Sequence, residues 1–306
     1  MSDTRSAAAV RPVAAPAGPL LPAGDLLLLA VSVSAISFSG PLISATAAPA
    51  LAIAAWRNVM SVGVLGPYAL LRHRDELRAL TRRPVLLAMA AGLLLAAHFG
   101  LWMPSLRMTS VASSTALVTT TPLWTILLMR VAGHRVPRLV RIGMATAFAG
   151  VLVLTGVDLG LSTRALLGDA LALAAGLAAA GYMLLGAEVR RTVSTTAYTL
   201  VCYGTTSVGL LAVCLFGGVR MGGWPLSTWG QIALLMVVAQ LLGHSLSNRV
   251  VRALGPTVTS TAILLETPGA ALIAAVWLGQ LPPAAAWPAV LLILAGLGLV
   301  VRGGRS

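Results

Sequence analysis

The sequence predicts an all-α membrane protein of ten transmembrane helices in two inverted five-helix repeats. Three observations predict it: ten apolar runs near bilayer-crossing length, arginines sorted between alternate connections, and a self-match of the chain at a shift of 146 residues. Composition sets the class. The 306 residues are 58% apolar and 9% charged, with a mean hydropathy of +0.92, where a soluble domain carries about 25% charged residues. All 21 basic residues are arginine, against eight acids, for a net charge of +13. Such a surplus suits nucleic acid only when gathered on a solvated face beside polar or stacking side chains. Here it lies in small groups between apolar runs, so no nucleic-acid partner is expected. Cys202 and Cys214 stand about 18 Å apart along a helix axis, too far for a mutual disulfide, and form no zinc site.

The first element is a polar tail. Residues 1–22, rich in Ala and Pro with Arg5 and Arg11, contain no apolar core and read as a disordered tail rather than a cleaved signal. Ala45 to Ala47 resembles a small-residue cleavage site, but nine further apolar segments follow the run that precedes it. A run of about 20 apolar residues crosses the roughly 30 Å hydrocarbon core. Ten qualify: 24–45, 50–71, 85–106, 110–131, 139–157, 168–189, 197–218, 228–249, 257–278 and 285–302. The connections are too short for a soluble domain. The expected division is a first repeat over 23–157, a linker over 158–167, a second repeat over 168–302 and a tail over 303–306.

Orientation follows from the arginines. With the N-terminus inside, 17 of them face the cytoplasm: Arg5, Arg11, Arg72, Arg74, Arg78, Arg82, Arg83, Arg130, Arg135, Arg138, Arg141, Arg190, Arg191, Arg249, Arg252, Arg302 and Arg305. Three face outward (Arg107, Arg164, Arg220), and Arg57 stays within the membrane. The positive-inside rule then places both termini in the cytoplasm. Trp102, Trp224, Trp229, Trp277 and Trp287 fall at the outer ends of spans, as an interfacial belt requires. An all-arginine, alanine-rich chain fits a GC-rich bacterial genome and hence the plasma (inner) membrane.

The 146-residue shift superposes His98 on His244, Ser114, Thr115 and Ala116 on Ser260, Thr261 and Ala262, and Thr121 and Pro122 on Thr267 and Pro268. Gly133, Pro137, Ala149 and Gly150 match Gly279, Pro283, Ala295 and Gly296; at a shift of 144, Gly24 and Asp25 match Gly168 and Asp169. Each half holds five spans, an odd number, so the second half sits inverted, an arrangement typical of secondary transporters with a midplane site.

With these motifs in order, the chain resembles the EamA-type family of the drug/metabolite transporter superfamily. The likeness covers nearly everything after residue 20. It rests on the Ala54, Ala55, Trp56, Arg57 start of span two, the Ser/Thr-then-Pro pattern of span four, Glu266, Thr267 and Pro268 in span nine, and Gly168 and Asp169 opening span six. The family's Glu after the Gly that ends spans four and nine is His134 and Gln280 here, and its Glu-Pro pair is interrupted by Thr267. The resemblance implies a cavity built from spans one to four and six to nine, peripheral spans five and ten, and export of amino acids, other small metabolites or drugs.

Buried ionisable residues mark the candidate site, since each costs at least about 2.5–3.5 kcal/mol in a bilayer. Four qualify: Glu266, Arg57, His98 and His244. By helical rise Glu266 lies roughly 13 Å above the inner boundary and Arg57 roughly 10 Å below the outer one, depths about 6 Å apart. Glu266 is then either a proton or cation site tuned by Arg57 or half of a fixed ion pair. His98 and His244 are either gate or cavity-lining groups or helix-packing hydrogen-bond partners. Spans four and nine carry Ser113, Ser114, Thr115, Thr119, Thr120 and Thr121, and Thr257, Thr259, Ser260, Thr261 and Thr267, ahead of the helix-breaking Pro122 and Pro268. Each proline frees a carbonyl that either lines a cavity or is satisfied locally by hydroxyls. Gln240, Ser245, Ser247 and Asn248 add a polar stripe, and Trp56, Phe99 and Trp124 either stack on a ligand or pack helices.

Four histidines with one mid-membrane carboxylate argue against a metal centre. No G-x-x-x-x-G-K-[ST] loop, G-x-S-x-G elbow or H-E-x-x-H occurs, so neither nucleotide hydrolysis by that route nor those catalytic chemistries are expected, and no cofactor is implied. The function expected is secondary transport of small solutes by alternating access, with possible proton coupling. A passive facilitator or channel is the rival, and a polytopic membrane enzyme the remote one.

Overall fold

The computed structural model describes residues 23–133, 135–244, 246, 250, 262 and 265–303. These are helices joined by short turns, with no strand among the described residues. Backbone groups within lipid have no water to bond, so only a structure that satisfies them internally crosses a membrane. Eight helical stretches are long and apolar enough to do so: Ala23–Ala45, Ala50–Arg72, Arg82–Ser105, Val111–Val131, Thr163–Val189, Thr195–Phe216, Leu226–Gly243 and Ala286–Gly303.

Several stretches are built from more than one helix. The first comprises α1 (Ala23–Ser37) and α2 (Ser39–Ala45), and the next is α3 (Ala50–Arg72). A short α4 (Arg74–Ala79) leads into α5 (Arg82–Ser105). The fourth splits into α6 (Val111–Val118) and α7 (Thr121–Val131). Then come α8 (Arg138–Leu161), α9 (Thr163–Val189) and α10 (Thr195–Phe216). The eighth predicted span is α11 (Leu226–Leu235) continuing as a π-helix over Met236–His244. Last are α12 (Glu266–Leu278) and α13 (Ala286–Gly303). Ser245, Ser247, Asn248, Thr257, Thr259, Ser260, Thr261 and His134 lie outside the described residues.

Packing pairs α5 with α9, α10 with both α3 and α5, α1 with the π-helix, and α8 with α13. The α8–α13 crossing is the tightest. A Cβ on Gly296 would run into Ala147 N, one on Gly150 would lie 2.8 Å from Ala289 O, and one on Gly143 2.6 Å from Gly296 O. Small residues at such crossings let backbones touch, the way helices associate where lipid is as apolar as their side chains. Gly150 and Gly296, matched by the repeat, thus occupy reciprocal places in one contact. The matched Gly133 and Gly279 also share a conformation, with φ of +90° and +66°, each just past a helix end. Only glycine adopts that region without a Cβ penalty.

The main core gathers α3, α5, α9 and α10 around Ile53, Leu95, Phe99, Met103 and Leu210, and a second cluster sits under α6, α8 and α13. Large apolar side chains cover the outside: Leu71, Phe148, Leu215, Phe216 and Val276 are all exposed. A water-facing surface would hide them; lipid accepts them.

Candidate functional site

Arg57 lies on the buried face of α3 with Asn58 and Ser61, and is 1% exposed. Its Nε donates to Gln240 Oε1 at 2.7 Å, and its guanidinium carbon sits 4.5 Å from the centre of the Phe99 ring, a cation–π contact. Tyr203 of α10 stands within electrostatic reach of Arg57 and beside the Gln240 amide. The arginine side chain is therefore held by two elements, α5 through Phe99 and the π-helix through Gln240, with Tyr203 of α10 nearby. The wider i→i+5 winding is uncommon and recurs at functional sites. Here it carries Gln240, which is 2% exposed, to the arginine of the other half.

Among the described residues no ion pair joins Arg57 to an acid. Glu266, expected within its reach, is the half-buried first residue of α12. The Arg57 Nε bonds Gln240 instead. Beside Glu266, Thr267 is buried with Oγ1 3.1 Å from Thr119 Oγ1, tying the broken fourth stretch to α12.

The break at Pro122 resolves in favour of local satisfaction. The hydroxyls of Thr119, Thr120 and Thr121 donate to the carbonyls of Ala116, Leu117 and Val118 at 3.0, 2.6 and 2.8 Å. Pro122 is the second residue of α7, where its missing N–H costs least. Pro268 likewise sits in the first turn of α12. Trp124 packs against Gly176 of α9, with its Nε1 buried and unpartnered among the described residues.

His98 takes a packing role: its Nδ1–H donates to Ala175 O at 3.0 Å across to α9, and its ring stacks on Trp102 at 5.9 Å. Trp102 is therefore buried rather than part of a lipid-facing belt, whereas Trp277 and Trp287 are exposed. His244 ends the π-helix, and its side chain lies outside the described residues. Trp56 donates from Nε1 to Met221 O at 2.8 Å and meets Trp229 edge-on at 5.1 Å, with Trp224 5.2 Å beyond.

Two further clusters, missed in the sequence, tie the connections together. At one end Glu76 of α4 accepts from Ser194 N and Ser194 Oγ, both at 2.7 Å, with His73 Nδ1 3.1 Å away. Ser194 also caps α10, accepting from Ala197 N. The paired Ser194 bonds hold the Glu76 carboxyl below the usual carboxylate range. At the other end Arg107 reaches the carbonyls of Ile43, Ser44, Thr46 and Ala48 past the end of α2, and Arg164 donates to Arg107 O. Both involve exposed or half-buried polar residues in short helices and connections, which carry no burial signal.

Residues 23–156 and 166–302 each match the model of the EamA-like transporter family. The chain belongs to that family. EamA-like proteins are membrane transporters rather than enzymes, so the chain is a multi-pass membrane protein that moves small solutes. A solved structure described only as "Crystal structure of protein" is similar, with a TM-score of 0.59 and 18% identity over 91% of this chain and 97% of that one. At that identity it speaks for the fold alone. No curated protein matches the chain.

Proposed function

We propose that this EamA-like protein is a secondary exporter of small metabolites. It works by alternating access between two inverted five-helix halves, 23–157 and 168–302, with ten spans, cytoplasmic termini and a place in the inner membrane. The observation that carries the reading is Arg57 and Gln240, buried polar groups from different halves bonded to each other deep within the helices. An ionisable residue in that place is costly and suits a site that opens and closes as the halves move. Supporting the inverted pairing, the matched Gly150 and Gly296 exchange roles at the α8–α13 crossing. The arginine bias puts the Glu76 end in the cytoplasm, and the family resemblance supplies the outward direction.

Glu266 is the proton-coupling residue of this scheme. Counterflow in proteoliposomes with an imposed pH gradient tests it. Saturable counterflow that responds to the gradient, and loses the response in Glu266→Gln, supports an antiporter. Flux without counterflow means a channel, and a gradient response unchanged in Glu266→Gln removes the coupling role.

A further inference from the structure

Arg57 brings a full positive charge into the helices. Of the eight acids in the chain, none forms an ion pair with it among the described residues. Its polar neighbour Gln240 is neutral, and the orientation of that amide is fixed, because Arg57 Nε can only donate and so must face Oε1. Two donors are left over. Arg57 Nη1 is buried without a hydrogen-bond partner among the described residues, and the buried Gln240 Nε2 has only the Tyr203 hydroxyl beside it. An unpaired donor on a buried cation costs more than one on a neutral group. Such residues persist where something else completes them in the working cycle.

We propose that Arg57 and Gln240 together form the recognition point for a substrate carboxylate, so that the transported solutes are organic monoanions. The inference rests on the transport reading and names its substrate class. A planar carboxylate accepts from a guanidinium edge through directed, charge-assisted bonds, and the Gln240 amide supplies a further donor beside it. The charge count selects a single negative charge. Arg57 is the only arginine that the sequence leaves within the membrane, and the chain has no lysine. His98 uses its Nδ1–H on Ala175 O. Phosphate esters and dicarboxylates would bring a second charge with no cation to meet it. Phe99, already against the guanidinium, and Tyr203 give the remainder of the solute an aromatic wall.

The test uses the full chain in detergent, with its thermal midpoint read by intrinsic tryptophan fluorescence. The probes are short linear and aromatic monocarboxylates, the same skeletons as primary amides and as primary amines, and chloride and inorganic phosphate at matched ionic strength. Saturable stabilisation by at least one carboxylate, absent with its amide and amine, is the expected result. Arg57→Gln weakens that binding by about tenfold to a hundredfold, the value of a charge-assisted bond. Gln240→Glu keeps the result readable should Arg57→Gln fail to fold. It places a resident carboxylate beside the guanidinium, so the fold holds while added carboxylate binding drops by the same factor. Stabilisation by none of the carboxylates, equal stabilisation by the amides, reproduction of the shift by chloride or phosphate, or unchanged binding in Gln240→Glu overturns the proposal. Counterflow of the stabilising carboxylate separates the two readings: binding without counterflow removes transport and leaves the site, and counterflow indifferent to Gln240→Glu removes the site and leaves transport.

Discussion

Two parts of the molecule stand in the same place in their respective halves and differ. α5 in the first half is a regular α-helix whose His98 bonds Ala175 O, a helix-to-helix tie. Its counterpart, α11 with the π-helix, is wound more widely, ends at His244 and delivers Gln240 to Arg57. The residue matched to Gln240 at a shift of 146 is Leu94, and the one matched to Arg57 is Tyr203. Around α8 and α13, by contrast, the matched glycines meet in one reciprocal crossing. The repeat thus keeps matched residues in contact at the α8–α13 crossing and diverges around Arg57 and Gln240.

The largest effect belongs to the α8–α13 crossing. Gly296→Leu drives a side chain into Ala147 N, where even a Cβ would clash, and backbone cannot yield as a flexible side chain can. The expected cost exceeds the about 1–3 kcal/mol of ordinary overpacking, read as loss of the monodisperse peak in size-exclusion chromatography. Gly298, two residues on, has open space around it, and Gly298→Leu should leave that peak unchanged. Equal behaviour of the two variants would mean that the crossing is not what holds α8 to α13.

At the centre the prediction is one-sided. Gln240→Leu removes the acceptor of Arg57 Nε and strands a buried charge-assisted donor, a loss of about 2–3 kcal/mol. The volume-conserving Leu94→Met at the matched first-half position should cost less than about 1.5 kcal/mol. Thermal midpoints of the two variants decide it, and a symmetric pair of losses would contradict the divergence of the two matched positions. A smaller effect is expected of Thr267→Val, which removes the hydroxyl beside Thr119 between the fourth stretch and α12, about 1 kcal/mol for one neutral bond. Thr119 keeps its bond to Ala116 O, so this variant loosens the contact between halves without unravelling the break at Pro122.

How much of this was open to sequence reasoning depends on the kind of signal. Apolar length placed every described membrane-length helix, because a bilayer fixes how many residues are needed. Arg57 stood out because burial in lipid is expensive, and Gln240, Trp56 and His98 because polarity or ring size is conspicuous among Leu and Ala. Their arrangement was not legible. Helical rise gives depth and not azimuth, so it puts Glu266 within a depth Arg57 can reach but does not reveal the bond from Arg57 to Gln240 on the π-helix. Trp102 was assigned to an interface by its position near a helix end, although the stack on His98 buries it. Tyr203 was findable by sliding Arg57 along the same 146-residue shift that matched the histidines.

The smallest effect lies at the Glu76 end, where a loop of the first half meets the cap of α10 in the second. Ser194 donates twice to the Glu76 carboxylate, and both bonds favour the charged form, as does His73 at 3.1 Å. A carboxyl held below its ordinary range contributes its stability fully above that range, around pH 4 to 4.5 and upward. The contribution is lost as the pH falls through the lowered value, because the folded form must then take up a proton it resists. Glu76→Gln retains the side-chain shape but turns one oxygen into a donor that faces Ser194, so the variant should be less stable than the parent near neutrality. The gap between their thermal midpoints should close as the pH is taken down through the acid range, since the parent loses there what the variant already lacks. A gap that stays constant with pH would assign the loss to shape or to the α10 cap and not to the carboxylate charge. The side chain is about a third exposed, so water competes for it. The loss expected at this contact is therefore smaller than that at Gln240, which is buried.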